Sequence, residues 1–409
     1  MGVSPCGNVQ IGPLAVVIDP DGAEALGVAA VPELCGAPLR AATAQGRARL
    51  ATELGGNCAE IVANDLRRGA KIGSGAWSAV YAGDLRGRPV ALKVFRTVDA
   101  EEPERTWQMF LKETRFLQRL QSPRIVTLLG VCVWPDGSPC LVTEFAEGTL
   151  NELLHESSPN RTTDGVSRRP RLSPAHRFLL ARHVSEGTAY LHANSLMHRD
   201  IKSRNVIVFT EAPHGAPKLA KLIDLGLATR VSDAGLMSET NIESQSLQGS
   251  AGYIAPECLE QGSLSSVLGA GAPSRSPQSV GTATGDFSMV RPPMIGTAAD
   301  VFSLGVVLTE IFGGAPPNMD DLSMCQSTPK RQPTFLDVPR SVYPDVPPHA
   351  DLAAGGAAGD GPVRRLLTSC LVARPDARPR ACEVLETLRH LEAQLVPAAP
   401  VRGYGDSLG

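Results

Sequence analysis

The sequence predicts an α+β chain in two parts: a small β-rich lobe carrying one helix, then a larger, mainly helical lobe. Two observations predict it. Between about residue 66 and Glu147 the apolar pattern is that of short strands broken by one amphipathic helix. After Glu147 the periodicity turns helical wherever it is not interrupted by low-complexity sequence.

Residues 1–60 contain no aromatic residue and no Lys, and are dense in Ala and Gly. They are expected to be a partly ordered extension with too little bulk to close a core, with a single strand at Leu14–Ile18. Val90–Phe95 reads as a strand, and 106–121 as a helix with Phe110, Leu117 and Leu120 on one face. Ile125–Val133 and Cys140–Phe145 read as strands joined by the turn residues Pro135–Ser138. In the second part, Ser173 is an N-cap with Pro174 at the first helical position, and Leu180, Val184, Gly187 and Leu191 share a face. Two further helices are expected at 300–312 and 378–395. Low-complexity insertions are read at 157–172, 261–297 and 320–361; the second is 37 residues long, 23 of them Gly, Ser, Pro, Ala or Thr. A short tail, 393–409, ends the chain.

Composition narrows the function. With 39 Lys and Arg against 42 Asp and Glu, the net charge of −3 supports neither a nucleic-acid footprint nor a polybasic membrane patch. No window reaches the ~20 apolar residues of a transmembrane segment. The first six residues lack the charged lead and apolar run of a secretory signal. Nine cysteines, none in a C-x-x-C pair, fit reduced thiols and a cytoplasmic location better than a disulfide or zinc framework.

Five motifs carry chemistry. In Ile72–Val80, Gly73 and Gly75 let a strand-turn-strand approach a phosphate, because no Cβ shields the amides. In Val90–Lys93, Ala91 and Lys93 share a strand face: a small residue leaves room for a flat ring, and the lysine offers a point charge. Glu113 lies on the apolar face of the 106–121 helix, where a carboxylate needs a cationic partner, and Lys93 is the candidate. In His198–Asn205, Asp200 is suited to take a hydroxyl proton, Lys202 to neutralise a phosphoryl group and Asn205 to ligate Mg²⁺. Asp224, after two apolar strand residues and before a turn, is suited to hold a metal. In Gly249–Glu257, Glu257 is expected to form a buried pair with Arg378.

In this order the five motifs resemble the eukaryotic protein kinase domain over roughly residues 66–392. The resemblance implies a two-lobed fold with ATP in the cleft between the lobes, two Mg²⁺ ions and phosphoryl transfer by positioning and electrostatics. Carried onto this chain, it has Gly73, Ser74 and Gly75 covering the phosphates and Ile72, Val80, Ala91 and Ile207 enclosing the adenine. Lys93, braced by Glu113, holds the α- and β-phosphates; Thr143 is the gatekeeper, and Glu144–Ala146 the hinge. Asp200 is the base, Lys202 supports the γ-phosphate, and Asn205 and Asp224 bind Mg²⁺. Lys202 and Gly249-Ser250 are similar to Ser/Thr kinases, and the whole His198–Asn205 string to the tyrosine-kinase-like group. Arg199 before Asp200 implies a phosphate acceptor in the following segment, at Ser238, Thr240, Ser244 or Ser246, added by an upstream kinase or in trans. Two departures stand out: Ser78 replaces a glycine and Leu225 a phenylalanine. Protein substrates with Ser or Thr are the expected partners. The alternative is a pseudokinase scaffold that binds nucleotide without transfer, whose usual mark, a lost Lys, Asp or Asn, is absent.

Overall fold

The computed structural model describes residues 8–11, 14–17, 37–56, 58–75, 77–96, 103–155, 172–211, 215–237, 249–250, 252–258, 295–313 and 361–396. The three expected insertions lie outside these residues apart from Leu172, 295–297 and Gly361, and so do Ser238, Thr240, Ser244 and Ser246.

In chain order, β1 (Asn8–Ile11) and β2 (Leu14–Val17) form an antiparallel hairpin, so the strand expected at 14–18 has a partner. Next comes α1 (Ala37–Leu54), a helix that the reading of 1–60 as an extension does not anticipate. Then follow β3 (Leu66–Ser74), β4 (Ser78–Leu85), β5 (Arg88–Phe95), α2 (Pro103–Arg119), β6 (Leu128–Val133) and β7 (Pro139–Glu144). β6 starts three residues later than expected. Ile125 and Val126 are apolar but turn aside, and the Val126 N–H donates to the Leu222 carbonyl at 2.9 Å. The chain continues through β8 (Gly148–Thr149), α3 (Leu150–His155), α4 (Pro174–Ala193), β9 (Leu196–Met197), β10 (Val206–Thr210), β11 (Pro217–Leu222) and β12 (Thr229–Arg230). It ends with α5 (Thr297–Ile311), α6 (Pro362–Cys370) and α7 (Ala381–Leu395). No described helix is long and apolar enough to cross a membrane.

The chain divides into two compact units, residues 1–169 with 203–228, and residues 170–202 with 229–409. In the first, five strands pair antiparallel in the order β3-β4-β5-β7-β6. Alternation along β5 sends Val90, Leu92 and Val94 to one face, where they join Leu66, Cys132, Trp134, Cys140 and Val142 in a closed core. Lys93 and Phe95 point to the other face and meet α2, the Phe95 and Phe110 rings packing edge-on at 5.6 Å. A smaller sheet, β11-β10-β8, completes this unit.

The second unit is built around α4. The Ser173 hydroxyl accepts the His176 N–H at 3.2 Å, and Pro174 opens the helix, as the sequence predicts. Leu180, Val184, Gly187 and Leu191 are buried, against α7 and α5. α5 is apolar nearly all round and buried along almost its whole length, as a central helix must be. A Cβ on its Gly305 would lie 2.6 Å from the Cβ of Cys370, so only glycine lets α5 and α6 approach this closely. Arg378 donates to both carboxylate oxygens of Glu257, at 2.7 and 2.8 Å, and also to the carbonyls of Val372, Ala298 and Ala373. The pair expected from the sequence therefore forms, wholly buried and with its hydrogen bonds satisfied.

Candidate active site

Two clusters of functional side chains are built, one in each unit. The first centres on Lys93. Strand register puts Val80 and Leu141 opposite Lys93, and Ala82 and Thr143 opposite Ala91. Lys93 Nζ donates to Glu113 Oε1 and Oε2 at 2.8 and 2.7 Å and to Asp224 Oδ1 at 2.8 Å. All three ammonium protons therefore have acceptors. Burial works against the lysine's charge, but the carboxylates of Asp224 and Glu113 outweigh it and hold its pKa above the ordinary value. Glu113, 2 % exposed, is pushed above its usual range by burial; Lys93 pulls it back and Asp224 adds to the rise.

Asp224 takes a left-handed backbone, φ 64 and ψ 75, and its carboxylate accepts the Gly226 N–H at 3.3 Å. Asp tolerates this region better than most residues, and the side-chain hydrogen bond holds it there. Its side chain stays 42 % exposed, so the carboxylate remains partly open to solvent. Val206 pairs with Leu222, and the Ile223 N–H donates to the Asn205 carbonyl at 3.0 Å. Asn205 and Asp224 thus lie at the same end of the β10–β11 hairpin, one buried and one half-open.

At the β3–β4 turn the Gly75 N–H donates to the Ser78 carbonyl at 2.8 Å. A Cβ on Gly73 or Gly75 would meet nothing nearer than 3.7 Å, and neither glycine has a left-handed backbone. The fold itself does not demand glycine at these two positions, which leaves a turn open to close approach by another group. Ser78 is not left-handed either, so serine replaces the glycine without backbone strain. Ile72, Val80, Ala91 and Ile207 are half-buried small or apolar side chains, as is Thr143, while Val206 and Val208 on either side of Ile207 are buried. Glu144 ends β7, and Ala146 leads into β8, which pairs Thr149 with Ile207. Leu225, in the place of a phenylalanine, is fully buried.

The second cluster joins Asp200, Lys202 and Ser250. Lys202 Nζ donates to Asp200 Oδ2 at 2.7 Å and to Ser250 Oγ at 2.6 Å, and the Ser250 hydroxyl donates to Asp200 Oδ1 at 2.8 Å. Beneath it, Asp300 Oδ2 accepts the His198 N–H at 2.7 Å, and Asp300 Oδ1 accepts the Arg199 N–H at 2.8 Å.

The structure therefore brings Lys93, Glu113, Asp224 and Asn205 together in one unit, and Asp200 and Lys202 in the other. Sequence reasoning missed Lys221, 8 % exposed, which donates to Glu144 Oε1 at 2.6 Å. A lysine between Ala220 and Leu222 in an apolar strand run was the available signal, since it needs a carboxylate nearby. Among the described residues no group of three or more His, Cys, Asp or Glu is arranged to hold a metal. The carboxylate of Asp224 and the amide of Asn205, at one end of the β10–β11 hairpin, are the groups that could hold a cation such as Mg²⁺, which keeps waters and shares its ligands with phosphate.

The protein tyrosine and serine/threonine kinase profile matches residues 66–267. The chain is 24% identical over 338 residues to the dual specificity protein kinase pyk3 of Dictyostelium discoideum, covering 82% of this chain and 19% of that protein. It is 29% identical over 341 residues to the megakaryocyte-associated tyrosine-protein kinase of Rattus norvegicus, covering 83% and 56%. It is 27% identical over 347 residues to the receptor-like serine/threonine-protein kinase NCRK of Arabidopsis thaliana, covering 80% and 51%. The matches thus span from a fifth to somewhat over half of these relatives' lengths.

Proposed function

Because residues 66–267 match the protein kinase profile, we propose that the chain transfers the γ-phosphate of ATP to Ser and Thr hydroxyls of protein substrates, in the cytoplasm. The observation that carries this reading is the Lys93 ammonium held between Glu113 and Asp224, a cation fixed beside a glycine turn with room for phosphate. Lys93 and the amides of Gly73, Ser74 and Gly75 bind the phosphates, and Ile72, Val80, Ala91 and Ile207 cover the base. Thr143, Glu144 and Ala146 line the edge of that site. Asn205 and Asp224 hold Mg²⁺, which when bound neutralises charge on the phosphate oxygens.

Asp200 takes the proton of the acceptor hydroxyl as its oxygen bonds to the γ-phosphorus and the bond to the β-phosphate oxygen breaks, releasing ADP. Lys202 offsets the charge of the transferring group. The acceptor class is supported by Lys202 and Ser250 sharing hydrogen bonds with Asp200, the arrangement expected from the resemblance to Ser/Thr kinases. Free, buried thiols at Cys132, Cys140 and Cys370 fit a reducing compartment.

The test is incubation of the full chain with Mg-ATP and a peptide array, with phosphosites mapped by mass spectrometry. Phosphoserine and phosphothreonine, lost in Asp200→Asn, are expected. Phosphotyrosine alone would overturn the acceptor class. Nucleotide binding without transfer would turn the reading to a scaffold.

A further inference from the structure

The helix α2 carries Glu113, and α1 is packed against it. Gly46, Leu50 and Leu54 form the buried face of α1 at four-residue spacing. A Cβ on Gly46 would lie 2.7 Å from Val133 Cγ1 and 3.3 Å from Trp107 Cζ2, so glycine sets how closely α1 seats on α2 and β6. Two ion pairs fix the direction of that seat. Arg49 donates bidentately to Glu104 at 2.8 and 2.7 Å while its guanidinium lies 5.0 Å over the Trp107 ring. Further along, Arg115 donates to Glu53 Oε2 at 2.8 Å. The Thr43 hydroxyl adds a hydrogen bond to the Pro135 carbonyl at 2.9 Å, tying the first half of α1 to the β6–β7 turn.

The first turns of α2 are thus held on several sides. Glu104 and Trp107 are held by α1, Arg105 stacks 4.5 Å over Trp77 of the glycine turn, and Phe110 packs against Phe95 and Trp107. Glu113 follows two to three turns later on the same rigid element, bonded to Lys93. A shift of α2 along or about its axis would separate that pair, because a helix transmits displacement along its length.

We propose that Arg49 is a positioning residue: through Glu104 and Trp107 it makes α1 a built-in clamp on α2, which holds Glu113 against Lys93. The clamp belongs to the chain itself and rests on the kinase reading only for its effect on ATP use. The clamp is made by residues 37–54, outside the region that the family profile matches. The clamp is strongest where charge and ring stacking combine, at Arg49.

The experiment compares full-length wild type, Arg49→Glu, Glu104→Arg and the double variant. Hydrogen exchange over 103–119 and the kcat and KM for ATP are the readouts, with melting temperature as a control. Each single variant is expected to raise α2 exchange up to about five-fold and to lower kcat/KM for ATP by a similar factor, chiefly through KM, as for one exposed bidentate ion pair stacked on a ring. The double variant is expected to recover most of both, since it restores the pair with its charges exchanged. Unchanged α2 exchange in the singles overturns the clamp, and so does a loss that the double variant does not recover. If wild type transfers no phosphate, the kinase reading falls, while exchange over α2 still decides the clamp.

Discussion

The Arg199 N–H donates to Asp300 Oδ1 at 2.8 Å while Arg199 itself holds a left-handed backbone at φ 70. A bulky residue persists in that region only where its surroundings over-determine it. Asp300 does so by also accepting the His198 N–H, and so fixes the backbone directly before Asp200.

Asp300→Asn removes the charge but keeps one acceptor. Burial disfavours the Asp300 carboxylate, but the His192 hydrogen bond, the nearby histidines and the Arg199 N–H outweigh it, leaving the carboxyl below its ordinary 3.8. A depressed folded value stabilises fully above the unfolded value, and this is lost as pH falls through the folded one. Urea unfolding is expected to show the variant less stable at pH 7, with the gap closing as pH falls below about 3.8. An equal gap at every pH would contradict a role for the charge.

Lys93→Met leaves Glu113 buried with its cation gone. Removing one member of a buried pair costs about 3–5 kcal/mol unless the other neutralises. The expected outcome is a lower melting temperature and a loss of turnover on the order of 10²-fold or more, since charge stabilisation at the phosphates goes with it. Glu113→Gln is expected to be milder in stability and similar in direction for turnover. Thermal unfolding and steady-state rates check both.

Ser250→Ala removes a hydroxyl that donates to Asp200 and accepts from Lys202. The two charged residues remain paired at 2.7 Å, so the site stays assembled but less tightly oriented. A few-fold to ten-fold loss of kcat with little change in KM for ATP is expected, one hydrogen bond's worth of about 1 kcal/mol. A rise in KM alone would separate Ser250 from the Asp200 chemistry.

Arg378→Ala deletes the partner of Glu257, whose side chain is 3 % exposed. The stranded carboxylate is expected to cost about 3–5 kcal/mol. The double change Glu257→Leu with Arg378→Met is expected to recover much of this loss, because a packed apolar pair avoids the desolvation penalty. Differential scanning of the three proteins checks the order.

Much of this is legible in the sequence, and the reasons are physical. Lys93 and Glu113 were paired from the sequence because a carboxylate on an apolar helix face demands a cation. Ser173-Pro174 announced α4 through capping chemistry that needs no tertiary context. By contrast, α1 was invisible. Among its described side chains the seam is Gly46, Leu50 and Leu54, and one glycine and two leucines between alanines and polar residues give no periodic signal until the bulk of Trp107 and Val133 is supplied from elsewhere. The second partner of Lys93, Asp224, is 131 positions away, and the local pattern of β11 says nothing of where its end points. The start of β6 differs for a related reason: Ile125 and Val126 are apolar, but the Val126 N–H donates to the Leu222 carbonyl and the Ile125 N–H to the Ser122 carbonyl.

The Glu257–Arg378 pair bears on where the chain tolerates being opened. Glu257 precedes the long Ser-, Gly- and Ala-rich stretch, and Arg378 lies far beyond it. Both flanks are hydrogen-bonded: the Cys258 N–H donates to the Ala255 carbonyl at 3.0 Å, and the Ile295 carbonyl accepts the Met237 N–H at 2.9 Å. A cut near residue 275 would leave two pieces that carry the complementary halves of the Met237–Ile295 hydrogen bond and of a buried ion pair. The protein is therefore suited to circular permutation or to reassembly from two fragments at that point, with Glu257 and Arg378 as the recognition element between them.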